Sequence, residues 1–145
     1  MRIKLISFLF FIMMILSACQ GSAKTDQTGE SLGKTVSTKG DEYLDISVDD
    51  LETMLENKDF LMVNVHIPFE GDIPKTDMSI PYDEIEQHLD QLPSDKNAPI
   101  VLYCRSGRMS AIAAETLVGL GYTNIMNLVG GFNAWQNAGL PMKGE

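Results

Sequence analysis

Apolar residues in this chain fall into short runs separated by stripes of helical period. Tyr43-Leu44-Asp45-Ile46 reads as a short strand. Ser47 then stands as an N-cap with Asp50 three residues on, a capping-box variant whose acid suits the helix dipole. Val48, Leu51, Met54 and Leu55 follow at helical spacing and predict an amphipathic helix up to about Asn57. The run from Phe60 to Val65 is nearly all apolar, the pattern of a central strand covered on both faces. Pro81 suits the first position of a helix whose buried stripe is Tyr82, Ile85, Leu89 and Leu92. Pro93 and Pro99 bracket a turn before the strand Ile100-Val101-Leu102-Tyr103.

The pattern from Ser110 to Val118 is helical again. Ile112, Leu117 and Leu120 mark its apolar face, Ala111, Ala113 and Ala114 allow close packing on a sheet, and Gly121 fits the C′ position. Asn124 to Val129 is the last strand, and Gly130-Gly131 turns it into a short helix in which Phe132 and Trp135 cover the core. Strands alternating with helices predict an α/β fold: a central parallel sheet with helices on both faces. Its site should lie beyond the carboxyl end of the strand at Tyr103, in the loop between that strand and the next helix.

The N-terminus follows another pattern. Arg2 and Lys4 precede an apolar run from Leu5 to Leu16 interrupted only by Ser7. A bilayer span needs about twenty apolar residues, so this run suits the hydrophobic region of a signal peptide instead. Leu16-Ser17-Ala18-Cys19 resembles a bacterial lipobox, which implies a signal peptide over 1–18 and lipidation at Cys19 after cleavage. From Gln20 to about Gly40 the chain is polar, with Ser, Thr, Gly, Lys and Gln dominant, and residues 19–40 read as a flexible tether for a domain over 41–145. The expected location is extracytoplasmic, in a bacterial cell envelope, with the chain attached to a membrane through a lipid anchor.

Charge narrows the partners. The formal charge is −9, and loss of residues 1–18, with Arg2 and Lys4 and no acid, makes it −11. Such a surface argues against nucleic acid and repels anionic lipid head groups, leaving attachment to the acyl chain. Of the two cysteines, lipidation of Cys19 leaves Cys104 without an intramolecular partner. An unpaired thiol in an exported protein is a candidate reactive group.

Cys104 ends its strand abruptly and is followed by Arg105-Ser106-Gly107-Arg108-Met109-Ser110 before the helix. A loop tightening onto a helix N-terminus points several N–H groups inward and adds the positive end of the helix dipole, so it favours an anion. A cysteine at the rim of that cup should ionise more readily than a free one, and Arg105 and Arg108 should push the same way. Gly107 supplies a positive φ or room for close backbone approach.

The loop Cys104-Arg105-Ser106-Gly107-Arg108-Met109-Ser110 resembles the active-site loop of the rhodanese-like sulfurtransferases. The stretch from Gly130 to Pro141 resembles the usual end of that domain, and the resemblance covers about residues 41 to 142. It implies Cys104 as the nucleophile, with Arg105, Ser106, Gly107, Arg108, Met109 and Ser110 binding the substrate. Sulfane sulfur would pass from a small anionic donor such as thiosulfate, through a persulfide on Cys104, to a thiol, cyanide or protein acceptor. No metal or organic cofactor is required.

Three features depart from the family pattern. Asn64-Val65-His66 stands where Asp-Val-Arg is usual, Gly71-Asp72-Ile73-Pro74 where Gly-His-Ile-Pro is usual, and the connection between them is short. His66, Glu70, Asp72 and Asp77 combine imidazole and carboxylates, yet their spacing matches no strong metal-ligand pattern. A phosphatase-like loop would carry arginine six positions after the cysteine, where this chain has Ser110. The competing function is a non-catalytic or regulatory binding module.

Overall fold

The computed structural model describes residues 32–144. The expected signal peptide, Cys19 and the start of the expected tether lie outside the described residues. Six strands, β1 (Lys34–Thr38), β2 (Asp41–Ile46), β3 (Leu61–Asn64), β4 (Met78–Ser79), β5 (Ile100–Tyr103) and β6 (Ile125–Leu128), form one sheet in the order β1-β2-β6-β5-β3-β4. From β2 to β4 every pairing is parallel, while β1 joins β2 antiparallel. Three helices, α1 (Val48–Glu56), α2 (Arg108–Gly119) and α3 (Gly131–Asn137), cover the two faces. The expected α/β class is therefore what the chain adopts.

Alternation along β5 divides the core in two. Ile100, Leu102 and Cys104 pack with Ala113, Ala114 and Leu117 of α2 on one face. Val101 and Tyr103 pack with Leu51 and Leu55 of α1 and with Phe132 and Trp135 of α3 on the other. β5 lies between β6 and β3, so all four of its residues are buried, as the unbroken apolar run predicts. The helix ends follow their sequence signals. Ser47 and Asp50 form the reciprocal capping box of α1. At the end of α2, Gly121 takes φ +89° while its N–H bonds the Val118 carbonyl at 2.9 Å and that of Tyr122 bonds Leu117 at 3.1 Å, a Schellman closure.

Three expectations are corrected. The tether does not extend to Gly40, because Lys34–Thr38 pairs with Asp41–Ile46 through a two-residue turn at Lys39 and Gly40, both at positive φ. Val36, partly buried, packs against the core and repays the ordering of an otherwise polar strand. The segment after Pro81 is not an α-helix: 3₁₀ geometry runs over Ile85–Gln91 and is interrupted at His88, although Ile85 and Leu92 are buried and Tyr82 and Leu89 pack beside them as the stripe requires. Ile112 is 42% exposed, since the buried face of α2 runs through Ser110, Ala113, Ala114, Leu117 and Val118.

Candidate active site

Cys104 leaves β5 at its carboxyl end and is 1% exposed, with its sulfur turned toward the following loop. The Gly107 N–H donates to Sγ at 3.1 Å and the Ser110 hydroxyl at 3.5 Å. Burial alone raises the thiol pKa. Hydrogen bonds from the Ser110 hydroxyl and from the N–H groups of Ser110, Ser106 and Gly107 outweigh it, so the thiol ionises below its ordinary range.

The loop reaches this shape through two glycines. Gly107 is the N-cap of α2 at φ +88°, and a Cβ there would stand 2.9 Å from the Gly130 nitrogen. Gly131, at φ +55°, has no room at all, because its Cβ would lie 2.0 Å from the Cys104 carbonyl oxygen. That contact lets the first turn of α3 hold the loop: Phe132 N–H donates to the Cys104 carbonyl at 2.9 Å and Asn133 N–H to that of Arg105 at 3.0 Å. The cup is thus fixed from below by backbone bonds, leaving its own amides free for the sulfur.

The remaining loop residues divide. Arg105 is exposed and donates to Glu70 Oε1 at 3.1 Å. Arg108 is exposed on the first turn of α2, and Ser106 is exposed beside it. Amides and one hydroxyl carry the effect on the thiol, and the part expected of the two guanidiniums is not among its causes. Arg105 instead borders a cavity that Glu70 and Phe132 also line. Met109 lies in the first turn of α2 and packs its side chain against the core.

Of the group His66, Glu70, Asp72 and Asp77, the first two meet at 3.4 Å while both aspartates are engaged elsewhere. Asp77 Oδ2 accepts from Lys58 at 2.6 Å and from the Met62 N–H at 2.7 Å. Asp72 Oδ1 accepts from Asn64 Nδ2 at 3.0 Å and from the Tyr103 hydroxyl at 3.1 Å. Tyr103 in turn accepts from the Ile73 N–H at 3.1 Å and shares a 2.7 Å bond with Thr76. Buried as it is, this phenol keeps its proton well above the usual tyrosine range. Sequence reasoning missed this network and the Glu70–Arg105 pair. The visible signal was a tyrosine, with a polar tip, closing an otherwise aliphatic strand.

The sequence profile of the rhodanese-like domain matches residues 47–138. The chain is 34% identical over 94 residues to a sulfurtransferase of Allochromatium vinosum, covering 63% of this chain and 85% of the relative. It is 30% identical over 105 residues to the thiosulfate sulfurtransferase GlpE of Vibrio cholerae, covering 71% and 97%. A rhodanese-like domain protein from Staphylococcus aureus superposes with a TM-score of 0.57 at 33% identity, over 68% of this chain and 97% of that one. A rhodanese-related protein from Thermoplasma volcanium gives 0.59 at 28% identity, over 70% and 98%.

Proposed function

The chain belongs to the rhodanese-like domain family, and from that membership we propose that it moves sulfane sulfur from a small anionic donor such as thiosulfate to a thiol, cyanide or protein acceptor by way of Cys104. The observation that carries the reading is the Cys104 sulfur facing the N–H of Gly107 at 3.1 Å and the Ser110 hydroxyl at 3.5 Å. Its relatives include sulfurtransferases.

In the first half-reaction the Cys104 thiolate attacks the outer sulfur of thiosulfate. The bond between that sulfur and the sulfonate sulfur breaks, sulfite departs with the electron pair, and a persulfide remains on Cys104. The loop amides stabilise the terminal sulfur anion as preorganised dipoles that need no rearrangement. In the second half-reaction an acceptor thiolate attacks the outer persulfide sulfur and the electron pair returns to Cys104 Sγ. Arg105 and Arg108 draw the donor to a mouth that the negative protein would otherwise make unfavourable.

Incubation of the protein with thiosulfate followed by intact mass measurement tests this reading. Wild type should gain one sulfur, about 32 Da, and Cys104→Ser should gain none. A folded wild-type protein that gains nothing would be a binding module instead. We further propose lipidation at Cys19 and an extracytoplasmic place in the cell envelope, as Leu16-Ser17-Ala18-Cys19 suggests. A diacylglyceryl mass on the N-terminal peptide from a membrane fraction would support this, and an unmodified Cys19 in that fraction would oppose it.

A further inference from the structure

His66 has no part in the sulfur-transfer scheme, yet it stands one carboxylate away from it. β3 and β5 run parallel with Asn64 opposite Tyr103, and Val65 N–H donates to the Tyr103 carbonyl at 2.8 Å, so the chain after β3 lies beside the loop that carries Cys104. The side chain of His66 is 7% exposed, and among the described residues neither ring nitrogen has a hydrogen-bond partner. Its ring meets Phe132 edge-on at 5.4 Å, and Phe132 is the residue whose N–H holds the Cys104 carbonyl. Nε2 lies 3.4 Å from Glu70 Oε2 without hydrogen-bond alignment, while the other carboxylate oxygen, Oε1, accepts from Arg105 at 3.1 Å. One carboxylate is therefore shared by a guanidinium with fixed charge and an imidazole whose charge can change.

We propose that His66 acts through Glu70 as a positioning residue that sets the charge Arg105 presents to an anionic sulfur donor. With the imidazole neutral, Glu70 cancels Arg105 and the cluster carries no net charge. With the imidazole protonated, Glu70 is claimed from both sides and the cluster is positive by one. Arg105 directly follows Cys104 in the chain, and with Glu70 it borders a cavity of about 380 Å³ whose wall also includes Phe132, Gln136 and Lys143. Of the groups facing the imidazole, Glu70 comes from its own loop and Phe132 from α3, which has no charged side chain. Arg105 is coupled through Glu70, Asp72 is engaged by Asn64 and Tyr103, and Lys143 lies on the wall of the cavity that Arg105 borders. Histidine is the side chain that ordinarily changes charge between about pH 5 and 8, and thiosulfate remains a dianion over that range. The donor should accordingly bind more tightly at the acidic end.

The proposal rests on the sulfur-transfer reading, and persulfide formation separates the two. The measurement is the thiosulfate concentration that half-saturates persulfide formation by the full chain, at pH 6 and pH 8, kept apart from the maximal rate. One unit of charge beside a dianion at a partly solvated mouth should make the wild-type value about three- to tenfold lower at pH 6 than at pH 8. His66→Gln should hold it at the high level at both pH values, and His66→Arg, restoring the residue usual in the family pattern, at the low level at both. Glu70→Gln, at a partly exposed position, should lower the pH 8 value. A wild type with no shift, or a His66→Gln variant that keeps the whole shift, overturns the proposal and leaves sulfur transfer standing. A wild type that forms no persulfide overturns both.

Discussion

Asn64 donates from Nδ2 to Asp72 Oδ1 at 3.0 Å, and these two residues occupy positions where the rhodanese pattern usually has aspartate and histidine. The two departures answer one another. Asn64 also donates to the Gly71 carbonyl at 2.9 Å and accepts from the His66 N–H at 3.0 Å, so its amide is used on both sides. An aspartate at 64 would turn an acceptor toward the carboxylate of Asp72, whereas a histidine at 72 would give it a donor to meet.

Asn64→Asp alone is expected to destabilise the protein by about 1–3 kcal/mol near neutral pH, through a lost donor and two facing carboxylates. Like-charge repulsion raises one carboxyl pKa in the folded state above its unfolded value, so the folded state binds the extra proton. The penalty should be full at neutral pH and recede as pH falls through the raised pKa. The double variant Asn64→Asp/Asp72→His should recover much of the loss. Thermal unfolding at two pH values measures this, and a double variant no better than the sum of the single ones would contradict the pairing.

Ser110→Ala removes the hydroxyl that donates to Cys104 Sγ at 3.5 Å while burial, which opposes ionisation, is unchanged. The thiol pKa should move up toward the ordinary cysteine value of about 8.5. Alkylation of Cys104 followed against pH should show a later midpoint in the variant. Persulfide formation below that midpoint should slow by about tenfold, because less thiolate is present as pH falls. Equal midpoints would remove the hydroxyl from the account.

Gly131→Ala places a methyl group 2.0 Å from the Cys104 carbonyl oxygen in a backbone conformation that suits glycine. Either α3 moves away or the loop does. A loss of about 3 kcal/mol or more in stability is expected, and persulfide yield should fall even in the fraction that remains folded. Gly139→Ala, where no atom lies within 4 Å of the added carbon, keeps a positive φ and serves as the comparison. It should cost less, and equal losses in both would show that backbone strain rather than the close contact decides.

Tyr103→Phe leaves the buried Ile73 N–H without its partner and takes a donor from Asp72. Denaturant unfolding should register about 1–3 kcal/mol. The alkylation midpoint of Cys104 should stay where it is, since the phenol points to the α1 and α3 face and the thiol toward α2. A shifted midpoint would mean that the two faces are coupled through the strand end.

Sequence alone determined the order of β2, α1, β3, β5, α2, β6 and α3, the caps of α1 and α2, and the cysteine loop. Each is written in consecutive residues: a capping box is four positions, and an amide cup is one strand end, one loop and one helix start. Local signals were weakest where packing had to choose among alternatives. Lys34–Thr38 is polar enough for a tether and becomes a strand only because β2 offers it an edge. Ile112 is apolar and still faces outward because the small residues of α2 took the sheet.

Tertiary structure decided what stands around the thiol. Glu70 and Arg105 are 35 positions apart, Asp72 and Tyr103 are 31, and Gly131 meets the Cys104 carbonyl from a different helix. Such pairs leave no periodic trace, since neither partner's neighbours in the chain reveal the other. The thiol proposed as nucleophile could be named from its own loop. Whether its mouth is neutral or cationic depends on residues that only the parallel sheet brings to the same end.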